Sequence, residues 1–279
     1  DIKASKTNFL IQEAWLKISD YFYSIYYSTI IPFRVKKYPK FKGYSFNSIL
    51  SREIYKDMAS PSLMLAVCKY RFIRRLSKKN VQIIAAVDWN ENQIIDRAFN
   101  LGFKDFYQDV YVRGYQGFVL PEHYACVQPT CLEYKLRTLP DIIHVSGKSG
   151  NALRKSVCPE LPVKISPAFR FSHVFNIRDL RMKDTPVILV SLPMMIDESR
   201  NILKSTVDLQ KALDVKVKLM IKPHPSLTIE EFLILVPEAK DEEITTKSMK
   251  ELLEISSVMI SSTSSSCVEA VAVGIPVAV

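Results

Sequence analysis

Long hydrophobic runs are missing from this chain of 279 residues. The longest, Pro186–Ile196, is broken by Ser191 and Pro193 and falls short of a bilayer-spanning helix. Paired cysteines are missing too. Cys68, Cys126, Cys131, Cys158 and Cys267 form no C-x-x-C unit, and no histidine stands at zinc-finger spacing. This pattern argues against a structural metal and for reduced thiols in a cytoplasmic protein. No signal-peptide pattern and no initiator Met opens the chain. Nucleic-acid motifs are lacking despite a net charge of +9, so nucleic acid is not an expected partner; anionic substrates or an anionic membrane face suit the charge instead. Glycine is scarce, with seven in all, so any close pair of glycines carries meaning.

What is present is a globular balance, 48% hydrophobic and 24% charged, in a length that suits one large or two ordinary domains. The first 46 residues are rich in Tyr, Phe and Lys, as in Tyr21-Phe22-Tyr23, Tyr26-Tyr27 and 34–41. Aromatic residues ordinarily serve packing, which makes them the core face of a helix with lysines on its wet face. The alternative is a basic, aromatic surface for lipid headgroups or an acceptor glycan. From Asn47 to Lys79 the pattern is helical and Pro61 divides it, which predicts two helices.

Strand, polar turn and helix then repeat. Val81–Val87 reads as a buried strand, followed by Asp88-Trp89-Asn90-Glu91-Asn92-Gln93 and a helix from Gln93 that closes at Gly102. Asp88 and Glu91 are carboxylates at a strand end, where a general base for a hydroxyl proton belongs; equally, they suit a helix cap and first turn. A strand over Asp109–Val112 leads to an expected turn at Gly114-Tyr115-Gln116-Gly117. Glu122 and His123 follow, either as an acid and base pair or as an ordinary surface loop.

Ile142–Val145 is the next strand, with Ser146-Gly147-Lys148-Ser149-Gly150 after it. The Gly-Lys-Ser triplet is no phosphate loop, because Ile142 stands where that motif needs Gly. After the strand Val163–Ile165, Arg170 offers a guanidinium for a phosphate or carboxylate, or for an ordinary ion pair. The charged stretch 176–185 predicts a linker, dividing domain 1–178 from domain 179–279.

The second half opens with the strand Pro186–Leu192 and a junction carrying Asp197 and Glu198, then a helix to about Leu213. Val217–Ile221 delivers Lys222-Pro223-His224-Pro225, whose prolines restrict the direction in which His224 leaves the sheet. A histidine held there can donate to a phosphate or an anionic leaving group. After a helix over 230–236 and a short strand at Ile244-Thr245-Thr246, Val258-Met259-Ile260 empties into Ser261, Ser262, Thr263, Ser264, Ser265 and Ser266 before a helix. One hydroxyl residue suffices to cap a helix; six in a row at a strand end offer donors to an anion, most simply a phosphate.

The Lys222–Pro225 segment, the 261–266 run, Glu269-Ala270 and Gly274-Ile275-Pro276, in this order, resemble the C-terminal half of GT-B glycosyltransferases. More narrowly, they resemble the bacterial surface-polysaccharide branch with His-Pro and Ser-Ser motifs, which includes Kdo, sialyl- and polysialyltransferases and polyol-phosphate transferases. The resemblance implies an α/β, GT-B-like fold of two Rossmann-like domains facing a cleft. With a chain that lacks an opening Met and stops at Val279, the expectation is that both domains are truncated.

The resemblance further implies a metal-independent transferase with a nucleotide-sugar as donor substrate, CMP-Kdo or CMP-sialic acid being favoured. The acceptor is a growing surface glycan or glycolipid, and no cofactor is needed. The enzyme is expected in the cytoplasm, with peripheral contact at the inner face of the membrane. His224 and Lys222 then face the donor phosphate with Ser261–Ser266, Glu269 binds ribose, and Arg170 contacts the donor. Glu91 acts as base, with Asp88, Glu122 and Asp197 as further catalytic candidates. A sugar-nucleotide epimerase, a polyol-phosphate transferase and a non-catalytic protein of the same architecture are the alternatives.

Overall fold

The computed structural model describes residues 9–35, 40–119, 124–177, 185–262 and 264–279. Internal contacts divide the chain into two compact units, Asp1–Pro167 and Ala168–Val279. The expected boundary at 178/179 falls in a stretch that lies outside the described residues; residues 168–177 go with the second unit.

The first unit begins with helices α1 (Gln12–Trp15) and α2 (Ile18–Arg34). A short antiparallel pair follows, β1 (Lys40–Phe41) and β2 (Tyr44–Ser45), then α3 (Asn47–Lys56) and α4 (Pro61–Lys78). The division at Pro61 is as expected: Pro fills the first turn of α4, where its missing N–H is no loss, and the Ser60 hydroxyl accepts the Leu63 N–H at 3.3 Å. Helix α2 departs from the packing reading of its aromatics. It buries Asp20, Ser24, Ser28 and Pro32 and turns Tyr21, Phe22 and Tyr26 outward. Asp20 explains this. Its carboxylate is fully buried between Arg71 and Arg75 of α4, and the Ser24 hydroxyl donates to the Met64 carbonyl at 2.7 Å, so a polar seam docks α2.

Next come β3 (Ala85–Trp89), α5 (Ile94–Phe106), β4 (Tyr111–Gln116), α6 (Cys131–Lys135), β5 (Ile142–Ser146), α7 (Lys148–Val157) and β6 (Val163–Ser166). The strands form one parallel sheet in the order β3-β4-β5-β6. Sequential order with right-handed crossovers places the connecting helices on a single face. Burial follows: Ala86, Val112, Ile143 and Val145 are buried, with Ile73 of α4 and Phe103 of α5 in the cluster around Val112. Two expectations about glycine change. Helix α5 runs past Gly102, which is small because a Cβ there would lie 2.8 Å from the Ile73 side chain. Gly114 is inside β4 and not in a turn; a Cβ would lie 2.8 Å from Pro140 and 3.0 Å from Asn90, so close approach requires the glycine.

The second unit holds a short 3-10 segment, Phe169–Asn176, then β7 (Val187–Ser191), α8 (Ile196–Ala212), β8 (Lys218–Lys222), α9 (Ile229–Leu235), α10 (Met249–Leu253), β9 (Val258–Ser261), α11 (Ser265–Ala272) and β10 (Val277–Ala278). The expected strand at 244–246 is reduced to one parallel bridge between Ile221 and Ile244. The sheet is parallel in the order β10-β9-β7-β8. All five residues of β7 are buried, the mark of a strand covered on both faces. On one face, Val190 and Ile221 pack with Leu203 of α8 and Phe232 of α9; on the other, Leu189 and Met259 pack with Leu252, Leu253 and Ala270. From β7 the chain leads outward to β8, and from β9 it leads the opposite way to β10. The neighbouring strands β7 and β9 therefore flank a topological switch point, where sheets of this kind bind ligands at the strand carboxyl ends.

Candidate functional site

Serines occupy that switch point. Ser191 ends β7 and Ser261 ends β9, in register with each other and with Lys222 at the end of β8. Register fixes their direction: Val190, Ile221 and Ile260 point to the α8 face, so Ser191, Ser261 and Lys222 point to the α10 and α11 face. The Ser261 hydroxyl donates to the Ser191 carbonyl at 2.7 Å, tying the two strand ends together. Ser191 and Ser266 share a hydroxyl hydrogen bond at 3.2 Å, and Ser266 donates to the Ser264 hydroxyl at 2.8 Å. Ser264 is the N-cap of α11 and accepts the Ser266 N–H at 3.3 Å.

The hydroxyl run thus divides its labour. Ser264 caps, Ser261 and Ser266 brace the loop against β7, and Ser262 presents a buried hydroxyl with no hydrogen-bond partner among the described residues. Thr263 lies outside the described residues.

The 3-10 segment of the same unit closes over the first turns of α11. Arg170 donates to the Ser265 hydroxyl at 3.2 Å. Three residues on, His173 Nε2 lies 2.8 Å from a carboxylate oxygen of Glu269, which is buried. The arrangement sets a guanidinium and an imidazole–carboxylate pair beside a helix N-terminus, a grouping suited to an anion and to neighbouring hydroxyls.

Lys222 and His224 stand at the adjoining strand end. The Lys222 ammonium donates to the Lys247 carbonyl at 2.7 Å; burial pushes its pKa down, with Glu251 pulling the other way. His224 Nδ1 accepts the Ser226 N–H at 3.2 Å, and the Ser226 hydroxyl lies 2.7 Å away. Because a backbone N–H can only donate, the neutral ring carries its proton on Nε2 and can offer it to an anion. Among the described residues no hydrogen bond joins His224 to the serine loop. Asp197 lies in the first turn of α8 with its side chain 97% exposed and Arg200 at 3.9 Å.

In the first unit both Glu91 oxygens are held, one by Trp89 Nε1 and one by Gln93 Nε2, each at 2.8 Å. Asp96 accepts the N–H groups of Glu91 and Gln93 at 2.9 Å each, which fixes the turn ahead of α5. The Asp88 carboxyl is pushed up to about 7, first by burial and then by the charge of Asp96. One of its oxygens is buried without a partner among the described residues. A carboxyl that titrates near neutrality lies in the range of a general base.

Beneath the same sheet edge Arg154 is fully buried, donating to the side-chain oxygens of Gln116, at 2.9 Å, and Gln128. Burial lowers its pKa to about 10. Beside it, Phe118, Ser146, Ser149 and Gly150 line a cavity of about 490 Å³ at the end of β5. Glu122 lies outside the described residues.

Ser191, His173 and Asp96 were not singled out from the sequence. Ser191 carried a signal, as the hydroxyl that ends an otherwise apolar run, and His173 another, three residues beyond Arg170 in one short segment. The thiols of Cys131 and Cys158 and a Glu160 oxygen lie within 4.8 Å of one another, a grouping that spacing along the chain does not announce. It sits where α6 begins and α7 ends, at the opposite edge of the sheet from the strand carboxyl ends.

No family model matches the chain, and no curated protein sequence does. Among solved structures, S. aureus MnaA determined with UDP superposes with a TM-score of 0.53 at 14% identity, over 91% of this chain and 67% of that one. At that identity the likeness is one of fold. The chain has a two-domain, Rossmann-like α/β fold of the GT-B kind.

Proposed function

We propose that this protein is a nucleotide-sugar enzyme whose second unit holds the donor nucleotide at the serine-lined switch point. The observation that carries the reading is the convergence of Ser191, Ser261–Ser262 and the α11 N-terminus with Arg170 and the His173–Glu269 pair. The donor phosphate belongs at the helix N-terminus, where free N–H groups and the helix dipole favour an anion. Arg170 adds charge, and the Nε2–H of His224 is of the right kind to stabilise a phosphate leaving group. Glu269 is suited to ribose hydroxyls, with His173 holding its carboxylate in place.

The finer reading is a glycosyltransferase of surface-polysaccharide assembly. An acceptor hydroxyl attacks the anomeric carbon and gives its proton to a carboxylate base, the bond from that carbon to the phosphate oxygen breaks, and the electron pair leaves with the phosphate. The paired His-Pro and serine motifs favour a CMP-linked donor and a glycan or glycolipid acceptor. A second reading has its own support. The fold neighbour was solved with UDP, which is in keeping with a uridine nucleotide, and a sugar-nucleotide epimerase, which needs no acceptor, is that reading.

Incubation with CMP-, CDP- and UDP-sugars, each with and without acceptor glycan, separates the two. Sugar appearing on the acceptor from a CMP-sugar supports the transferase. Consumption of a UDP-sugar without acceptor supports the second reading. Turnover of none, with no binding of CMP, CDP or UDP by calorimetry, would sink the nucleotide-sugar assignment.

A further inference from the structure

Helix α2 is amphipathic in the reverse sense of an ordinary globular helix. Its buried positions, one turn apart, are Asp20, Ser24, Ser28 and Pro32. Its outward positions are Ile18, Tyr21, Phe22, Ile25, Tyr26 and Phe33, with exposures of 76% at Ile18, 68% at Phe22 and 64% at Phe33. This spacing puts all six on one stripe. Over 17 residues it extends for about 25 Å. A face of that length made of Ile, Phe and Tyr is far more apolar than a solvated helix needs.

The charges around it indicate what covers it. Lys17 precedes the helix, Arg34 ends it, and Lys40 and Lys42 follow. Residues 9–58 carry eight Lys and Arg against four Asp and Glu, and one of the four, Asp20, is buried and neutralised by Arg71 and Arg75. A second copy of the chain answers this poorly. With cations at both ends of the stripe, parallel and antiparallel pairing alike set like charges together. An anionic bilayer surface meets both ends at once, and Tyr and Phe are side chains that settle at the boundary between headgroup and acyl chain. Among the described residues no helix is long and apolar enough to cross a membrane, so the stripe would lie along the surface.

We propose that α2 docks this protein on an anionic lipid bilayer, with the Ile18–Phe33 stripe seated in the interface and Lys17 and Arg34 on the headgroups. The inference stands independently of the donor-nucleotide reading.

The test is co-sedimentation of the full chain with vesicles of phosphatidylcholine and phosphatidylglycerol, for the native protein and for a Phe22→Asp, Phe33→Asp double variant. Both side chains are mostly exposed, Phe33 meeting the Tyr55 ring by its edge, so thermal denaturation should change little. Binding should fall by about a hundredfold or more, given the apolar area two phenylalanines would no longer bury. A second variant, Ile234→Asp on the exposed face of α9, should bind as the native protein does. Full binding by the double variant overturns the proposal, as does failure of the native protein to bind. So does self-association, seen by sedimentation without vesicles, that the double variant abolishes.

Discussion

Replacing Asp88 by Asn tests the electrostatics of the first unit's sheet edge. Asp88 is the penultimate residue of β3 and titrates at about 7 in place of an ordinary 3.8, because burial disfavours its charge and Asp96 adds repulsion. The neighbouring Asn90 side chain and the charge of Lys69 oppose the rise without cancelling it. A folded-state pKa above the unfolded one means the native protein holds this proton more tightly from about pH 4 to about pH 7, so stability falls as pH rises through that window. Three units correspond to about 4 kcal/mol at the conversion of about 1.4 kcal/mol per unit. Solvent relaxation around a group that is not wholly enclosed lowers the expectation to about 2–3 kcal/mol.

Asparagine keeps the shape but carries no charge. The variant should match the native protein at about pH 3 and exceed it by about 2–3 kcal/mol at about pH 8. Urea denaturation at both values, compared at equal m, reads the difference. A variant with the native pH slope, or one less stable at the higher pH, refutes the reasoning.

Asp20→Asn should act in the opposite direction. Burial raises the Asp20 pKa, but Arg75, the Lys17 N–H and Arg71 outweigh it and hold the carboxyl at about 2, so its contribution is complete above about pH 4 and is lost as pH falls toward about 2. Asparagine leaves the two arginines without a counter-charge at a buried seam and should cost about 3–5 kcal/mol near neutral pH, a loss that denaturant midpoints would register and that a change below 1 kcal/mol would contradict. Glu269→Gln should weaken nucleotide binding in calorimetry while thermal denaturation shows a folded protein; affinity equal to the native value would remove Glu269 from the site.

The strand and helix order was legible because each parallel strand is a short apolar run closed by polar residues, as at Ile142–Ser146 and Val258–Ser261. Pro61 marked a helix start for a local reason that needs no tertiary information. What could not be read was anything decided by a neighbour distant in sequence. Gly102 and Gly114 looked like a helix stop and a turn; they are glycines because Ile73, Pro140 and Asn90 approach them from other elements. The face that α2 buries was hidden for the same reason. A stripe of Tyr, Phe and Ile is the expected core face until Arg71 and Arg75, some fifty residues on, draw Asp20 inward instead.

The serine run shows how far local chemistry reaches. Its position at a strand end and helix start was legible, but the share of each hydroxyl between bracing and binding was not, since that depends on Ser191 in another strand. The same network explains why hydroxyls stand here and not cations. Ser191, Ser261 and Ser266 are buried against one another, and an ammonium or guanidinium in their place would need a counter-charge or would resist burial. Ser264 accepts the Ser266 N–H at the start of α11, while Ser261 and Ser266 donate to the Ser191 carbonyl and the Ser264 hydroxyl, so these hydroxyls are paired within the protein. Positive potential is then supplied by the helix terminus and by Arg170, which remains solvated at the edge. Ser262, whose buried hydroxyl has no partner among the described residues, is the position in the run with most to gain from a bound anion.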